Sequence, residues 1–483
     1  MQKTTVQLDP TAVSAAAKPA LRADEMAELA IFWSFVAGLA WCPFWYGSND
    51  PLAWGVNAIL FPGLAFALEA LVLLSGRRHA IGIKTVRIPA VLFIVVLGWV
   101  FLQTATWMPA SLDQPIWALA ADTLNRSIDG SISADRDLTS LALMRLVTAA
   151  SAFWLALQLC RDVTRSRQLV SAIAIIVCIY AIYGMATAAF APDTILGVPN
   201  QNPHGTVSAT FINRNSFATY AGLGFLAVSG ILLRLYRHMV ARAGGSARLR
   251  LVSFIETTGR AGAVVIAGTI VVAAALLMSG SRGGIVATAV AFFVLIVLTF
   301  KRNSRRANEQ RDTVLFVVFV AAATFIAFGD QFLGKIASGD LGQSRVAVYN
   351  ITIGSIMDSP ILGYGYGTFP DIFPMFRDQS ISVIGRWVQA HNTYLEIAQG
   401  LGVIFGALLV GCVAVPLLRC LKGAMTRVEN ASIPALAASA GALVGLHSLI
   451  DFSMQIQAVT LTFMALLGAG LAQSESSRVS VID

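Results

Sequence analysis

Twelve apolar runs dominate this chain: 29–46, 52–75, 88–105, 139–159, 168–190, 215–234, 261–279, 283–300, 313–328, 396–418, 432–450 and 455–473. A helix needs about 17 to 25 such residues to cross the hydrocarbon of a bilayer. All but the run 313–328 reach that length, and this one borrows flanking residues. Lipid cannot satisfy free backbone N–H and C=O groups, so the runs must be helices. Charged residues make up only 12% of the 483 positions, about half the share of a soluble domain. The expectation is an all-α polytopic membrane protein of about twelve transmembrane helices. Residues 1–28 form a cytosolic tail, 29–473 a single transmembrane domain with the large loop 329–395 between spans nine and ten, and 474–483 a second cytosolic tail.

A net charge of +8 would suggest nucleic acid in a soluble chain. Its distribution says otherwise. The loops 76–87, 160–167, 234–260, 301–312 and 419–431, with the two tails, hold 25 of the 34 Lys and Arg residues, and the opposite loops hold 8. Positive charge is retained on the cytosolic side, so both termini are expected there and no nucleic-acid partner is. The five cysteines lie in or beside apolar runs, at no metal-ligand spacing and in no disulfide framework.

The few cations of the outer side are therefore worth placing one by one. Arg282 sits in SGSRGG (279–284), the tight turn between spans seven and eight. Arg214 opens span six, flanked by Asn213 and Asn215, and Asn213 is placed to cap that helix. Arg345 begins an expected helix over 345–357, His391 precedes span ten, and Asp451 occupies the last outer turn. An outward-facing helix N-terminus suits an anion. Arginine stays charged and grips phosphate oxygens in a fork. Histidine titrates near neutrality and can take a proton from a hydroxyl. Each residue also has a structural reading: Arg282 reaching lipid phosphates, Arg345 pairing with Asp340, His391 satisfying carbonyls, Asp451 capping the last helix. GYGYG (363–367) reads as a turn, and Asp135-Arg136-Asp137 as loop solvation. Arg145, inside span four, either reaches the interface or joins the cavity; Glu69, near the inner end of span two, is too deep to meet it.

FINRNSFATYAG (211–222), SGSRGG, the run SRVAVYNITIGSIMDSPILGYGYGTF (344–369) leading into QAHNTYLEIAQGLG (389–402), and LVGLHSLIDFSMQ (443–455) together resemble the bacterial O-antigen ligase and O-antigen polymerase family. The resemblance covers roughly residues 200 to 470. It implies a GT-C-like glycosyltransferase of the bacterial inner membrane, working at the periplasmic face in lipopolysaccharide or exopolysaccharide biosynthesis. The donor would be a glycan on undecaprenyl diphosphate and the acceptor a glycan or lipid A–core sugar hydroxyl, with membrane lipids and a chain-length regulator as further partners. By the same resemblance Arg214, Arg282 and Arg345 bind the diphosphate without metal or cofactor, and His391 is implicated in transfer. Asn215, Asn392, Arg386 and Asp451 are candidate supporting residues, and a single in-line attack would invert the anomeric carbon. The rival class is a transporter or flippase of lipid-linked glycans, which predicts ionisable residues near the bilayer midplane.

Overall fold

The computed structural model describes residues 22–192, 194–199, 205–240, 247–300, 343–382, 385–427 and 430–475. The expected span 313–328, Lys335 and Asp340 lie outside them.

Eleven of the twelve runs correspond to helices among the described residues. α1 (Ala23–Trp41), α2 (Pro51–Leu74) and α3 (Ile83–Thr104) come first, followed by the short α4 (Pro115–Leu124). Next come α5 (Arg136–Leu159), α6 (Val163–Phe190), α7 (Arg214–Val240), α8 (Ala247–Met278) and α9 (Arg282–Phe300). The remainder are α10 (Gln343–Asp358), α11 (Phe369–Phe376), α12 (Thr393–Leu401), α13 (Val403–Thr426), α14 (Ser432–His447) and α15 (Gln457–Ser474). Thr194–Ile195 and Val198–Pro199 pair as a minimal antiparallel hairpin between α6 and α7. Among the described residues, eight helices are both long and apolar enough to cross a membrane. α1 carries Asp24 and Glu25 in its first turn, α14 has only 16 residues, and α15 carries Gln457 and Gln473.

Burial explains the two amides of α15. α15 runs through the middle of the bundle, packed on α5, α14 and α13. Its glycines let backbones meet: a Cβ on Gly468 would stand 2.4 Å from Phe153 O, and one on Gly470 2.2 Å from the Ala437 Cβ. Small residues are what helices use to approach closely in lipid. Inside protein, a polar side chain needs only a partner, and Gln473 Nε2 donates to Cys160 O at 2.7 Å. α7 is likewise interior, whereas α2 keeps most of its surface for lipid.

The expected tenth span, 396–418, is broken in two. α12 ends and α13 begins at Gly402, whose φ is +78°. A Cβ there would fall 2.1 Å from Ile361 O, so only glycine fits. The break is locked from outside: Val403 N donates to Pro360 O at 2.8 Å, and Gly365 N to Gly400 O at 3.0 Å. Gln103 Nε2 joins both sides by donating to Leu362 O (2.8 Å) and Gly400 O (2.9 Å). GYGYG is the turn it was expected to be, with Gly363, Gly365 and Gly367 all at positive φ.

Candidate functional site

The α8–α9 turn, the start of α7, the start of α10, the start of α12 and the α14–α15 connection converge at one end of the bundle. Asn213 caps α7 as expected, its Oδ1 accepting from Asn215 N (2.7 Å) and Ser216 N (3.4 Å). That places Arg214 in the first turn. Gly280 turns at φ +63°, and Ser281 caps α9 by accepting from Gly284 N at 3.3 Å, which makes Arg282 its first residue. A Cβ on Gly280 would lie 3.6 Å from Arg214 Nη1, so the Arg214 side chain lies across the turn that presents Arg282.

Arg214 stands within electrostatic range of both Arg282 and Arg345. Arg345 Nη1 donates to Ile450 O at 3.0 Å, which ties α10 to the α14–α15 connection. None of the three arginines forms an ion pair among the described residues, and Asp340 lies outside them. Like charges gathered without a paired carboxylate among the described residues repel one another, and an incoming anion relieves that repulsion.

His391 stands beside this cluster in a conformation uncommon for its type, with φ +52°. Its neighbours hold it there. Ala390 N donates to Glu396 Oε2 at 3.0 Å, and the Tyr349 hydroxyl donates to His391 O at 2.8 Å. The ring meets Phe452 edge-on at 4.9 Å between centroids and Trp387 at 5.6 Å. Among the described residues its buried Nδ1 has no hydrogen-bond partner, so there the carbonyl-satisfying alternative does not hold for that atom. Burial pushes the imidazole below its ordinary range, Asp451 raises it and Arg345 lowers it, with burial the largest influence. A neutral imidazole, able to accept a proton, is the result.

Asp451 is fully buried and does not cap the last helix, contrary to that expectation. Its Oδ1 accepts from Phe452 N (2.7 Å) and Ser453 Oγ (3.3 Å), and Oδ2 has no partner. α15 instead starts after Ile456, with no side-chain cap. Asn392 proves to be scaffolding: it caps α12 and donates to Leu449 O at 2.9 Å. Thr393 adds two bonds to the same connection, N to Ser448 O at 2.9 Å and Oγ1 to Asp451 O at 3.0 Å. Arg386 is drawn elsewhere, to an exposed pairing with Asp371 at 3.3 Å. Asn215 contributes its main chain, accepting from Thr219 Oγ1 at 3.2 Å. Asp135 caps α5 and Arg136 lies over the Trp117 ring, a structural use of that acidic motif. Glu69 bonds His79 and Trp154, far from Arg145.

Sequence reasoning passed over two residues here. His447, nearly fully buried, puts Nδ1 2.6 Å from Thr219 Oγ1; the available signal was its position four residues before Asp451. Glu396 is buried at 8% exposure. Gln389 donates to both of its oxygens, at 2.7 and 3.0 Å, in the amide orientation that satisfies both groups. Arg145 belongs to this second cluster: its guanidinium covers Trp54, donates to Gln455 O and faces Glu396 and Tyr366. Burial lifts the Glu396 carboxyl to about 7, against the Ala390 N–H, Arg145 and Gln455.

Comparison with curated proteins finds no match. Residues 267–410 run from α8 to α13 and contain Arg282, Arg345, His391 and Glu396; they match the family model described as O-antigen ligase.

Proposed function

We propose that the protein is an O-antigen ligase- or polymerase-type glycosyltransferase of the inner membrane. It moves a glycan from undecaprenyl diphosphate to a sugar hydroxyl at the periplasmic face, the acceptor being a growing glycan or a lipid A–core. The observation that carries this reading is the cluster of Arg214, Arg282 and Arg345. Separate elements supply them, no acid pairs with them among the described residues, and a neutral imidazole lies beside them. Breaking a sugar–diphosphate bond adds charge to the diphosphate oxygens. Guanidinium forks fixed where that charge develops stabilise the transition state.

In this mechanism His391 takes the proton of the acceptor hydroxyl as its oxygen attacks the anomeric carbon. Attack is in line with the departing diphosphate, in one step, and inverts the configuration. The arginines supply the positive charge that a metal ion supplies elsewhere. The clustering of ionisable groups at one end of the bundle also favours this reading over a transporter, which needs them near the midplane.

The test is transfer in vitro from a lipid-diphosphate glycan to an acceptor glycan, with no ion gradient. Wild type should transfer, and R282A, R214A and H391A should each fall by about 10²–10³, the usual effect of losing one such group. Undiminished transfer by all three variants would refute the assignment.

A further inference from the structure

His447 is not used by that mechanism, yet it lies where α7, α9 and α14 meet. It is only 2% exposed. Its Nδ1 stands 2.6 Å from Thr219 Oγ1 and 3.4 Å from Ser453 Oγ. Each hydroxyl has an acceptor of its own: Asn215 O at 3.2 Å for Thr219, and Asp451 Oδ1 at 3.3 Å for Ser453. A carbonyl and a carboxylate oxygen only accept, so the two hydroxyl hydrogens go to them. With both hydroxyls donating to those acceptors, the hydrogen between the ring and the hydroxyls sits on Nδ1 and the neutral ring keeps its lone pair on Nε2. That nitrogen lies 3.2 Å from the place a Cβ on Gly283 would occupy, at the first turn of α9 beside Arg282. Glycine at 283 makes room for the ring. His391 differs, since its Nδ1 has no partner to set its tautomer.

We infer that His447 is a proton-accepting imidazole on the donor side of the site: when a diphosphate arrives, Nε2 takes up a proton and donates it in a hydrogen bond to a diphosphate oxygen. This rests on the reading of the arginine cluster as a diphosphate site. The charged groups around the ring explain why the proton comes only with the anion. Burial of the ring opposes a positive charge most, Asp451 favours one, and Arg345 from α10 opposes it. A bound diphosphate reverses that balance. His447 thus becomes a fourth cation, present only while the anion is present. During transfer the acceptor oxygen bonds to the anomeric carbon and its proton goes to His391. The bond from that carbon to the diphosphate oxygen breaks, and its electron pair stays on the oxygen. The His447 proton remains on Nε2, bonded to the diphosphate, and returns to solvent when the diphosphate departs.

Calorimetric titration of the purified full-length chain in nanodiscs tests this. Inorganic pyrophosphate and sulfate are the probes, each in two buffers of different ionisation enthalpy at one pH. Sulfate does not titrate near neutrality, so protons taken up with it go from the buffer onto the protein. Wild type should take up a fraction of a proton with sulfate and more with pyrophosphate. H391Q should retain the uptake and H447Q should lose it, with H447N as the second variant if H447Q does not fold. Binding of either anion to wild type without proton uptake, or equal uptake by a folded His447 variant, overturns the inference and leaves the diphosphate site standing. Failure of both anions to bind overturns the site and the inference together.

Discussion

Replacing Glu396 by Gln tests the buried cluster that holds His391 in place. Glu396 is buried, and its carboxyl titrates at about 7 against an ordinary value of 4.5. Between those values the folded chain holds a proton that the unfolded chain has released. Stability is therefore highest below pH 4.5, declines as pH rises toward 7, and is level above. The interval of about 2.5 pH units, at about 1.4 kcal/mol per unit, sets the whole decline near 3 kcal/mol. Glutamine cannot titrate, but its carbonyl can still accept from Ala390 N, which Glu396 does at 3.0 Å. Thermal unfolding of wild type and E396Q, followed from pH 5 to pH 8 in one detergent, reads the difference. The two should melt close together at pH 5, with the variant increasingly the higher as pH rises. Parallel curves across that range would mean that Glu396 is ionised throughout and that burial does not control it.

The His391 imidazole is a base in its neutral form, so transfer should rise with pH through a midpoint below 6.5. D451N removes the carboxylate that raises this midpoint and should move the acid limb lower, while R345A should move it higher; pH–rate profiles of residual transfer measure both. R282K keeps the charge but loses the bidentate fork, so its transfer rate should fall between those of wild type and R282A. G402A forces a Cβ to within 2.1 Å of Ile361 O at a φ of +78°. A strained backbone of this kind costs about 1–3 kcal/mol before the clash is counted, so G402A should lower the melting temperature and the yield of monodisperse protein.

Arg214, Arg282, His391 and Asp451 were legible in the sequence because each stands at or near the edge of an apolar run, and Arg345 because it lies in the large outer loop; charge asymmetry assigns these places to one face. His447 was not, because it lies inside the run 432–450. There a lone imidazole reads as part of the core, and its partners Thr219 and Ser453 come from other elements. Glu396 was hidden for a related reason. Hydropathy runs on from 396 to 418 without a gap, and the break at Gly402 is imposed by residues 360–365 from a distant segment. Some of the expected spans are not long apolar helices for the same physical cause. Hydropathy measures what a helix would do in lipid, while α14 and α15 are buried by other helices. A helix with protein for its solvent can be short or carry amides, because α5, α7, α9 and α13 supply its partners. The chemistry follows the same division. The lipid-facing helices α2, α3 and α8 contribute none of the arginines or imidazoles of the site. α7 and α14, the first of them interior, tolerate Thr219 and His447 and bring the two together.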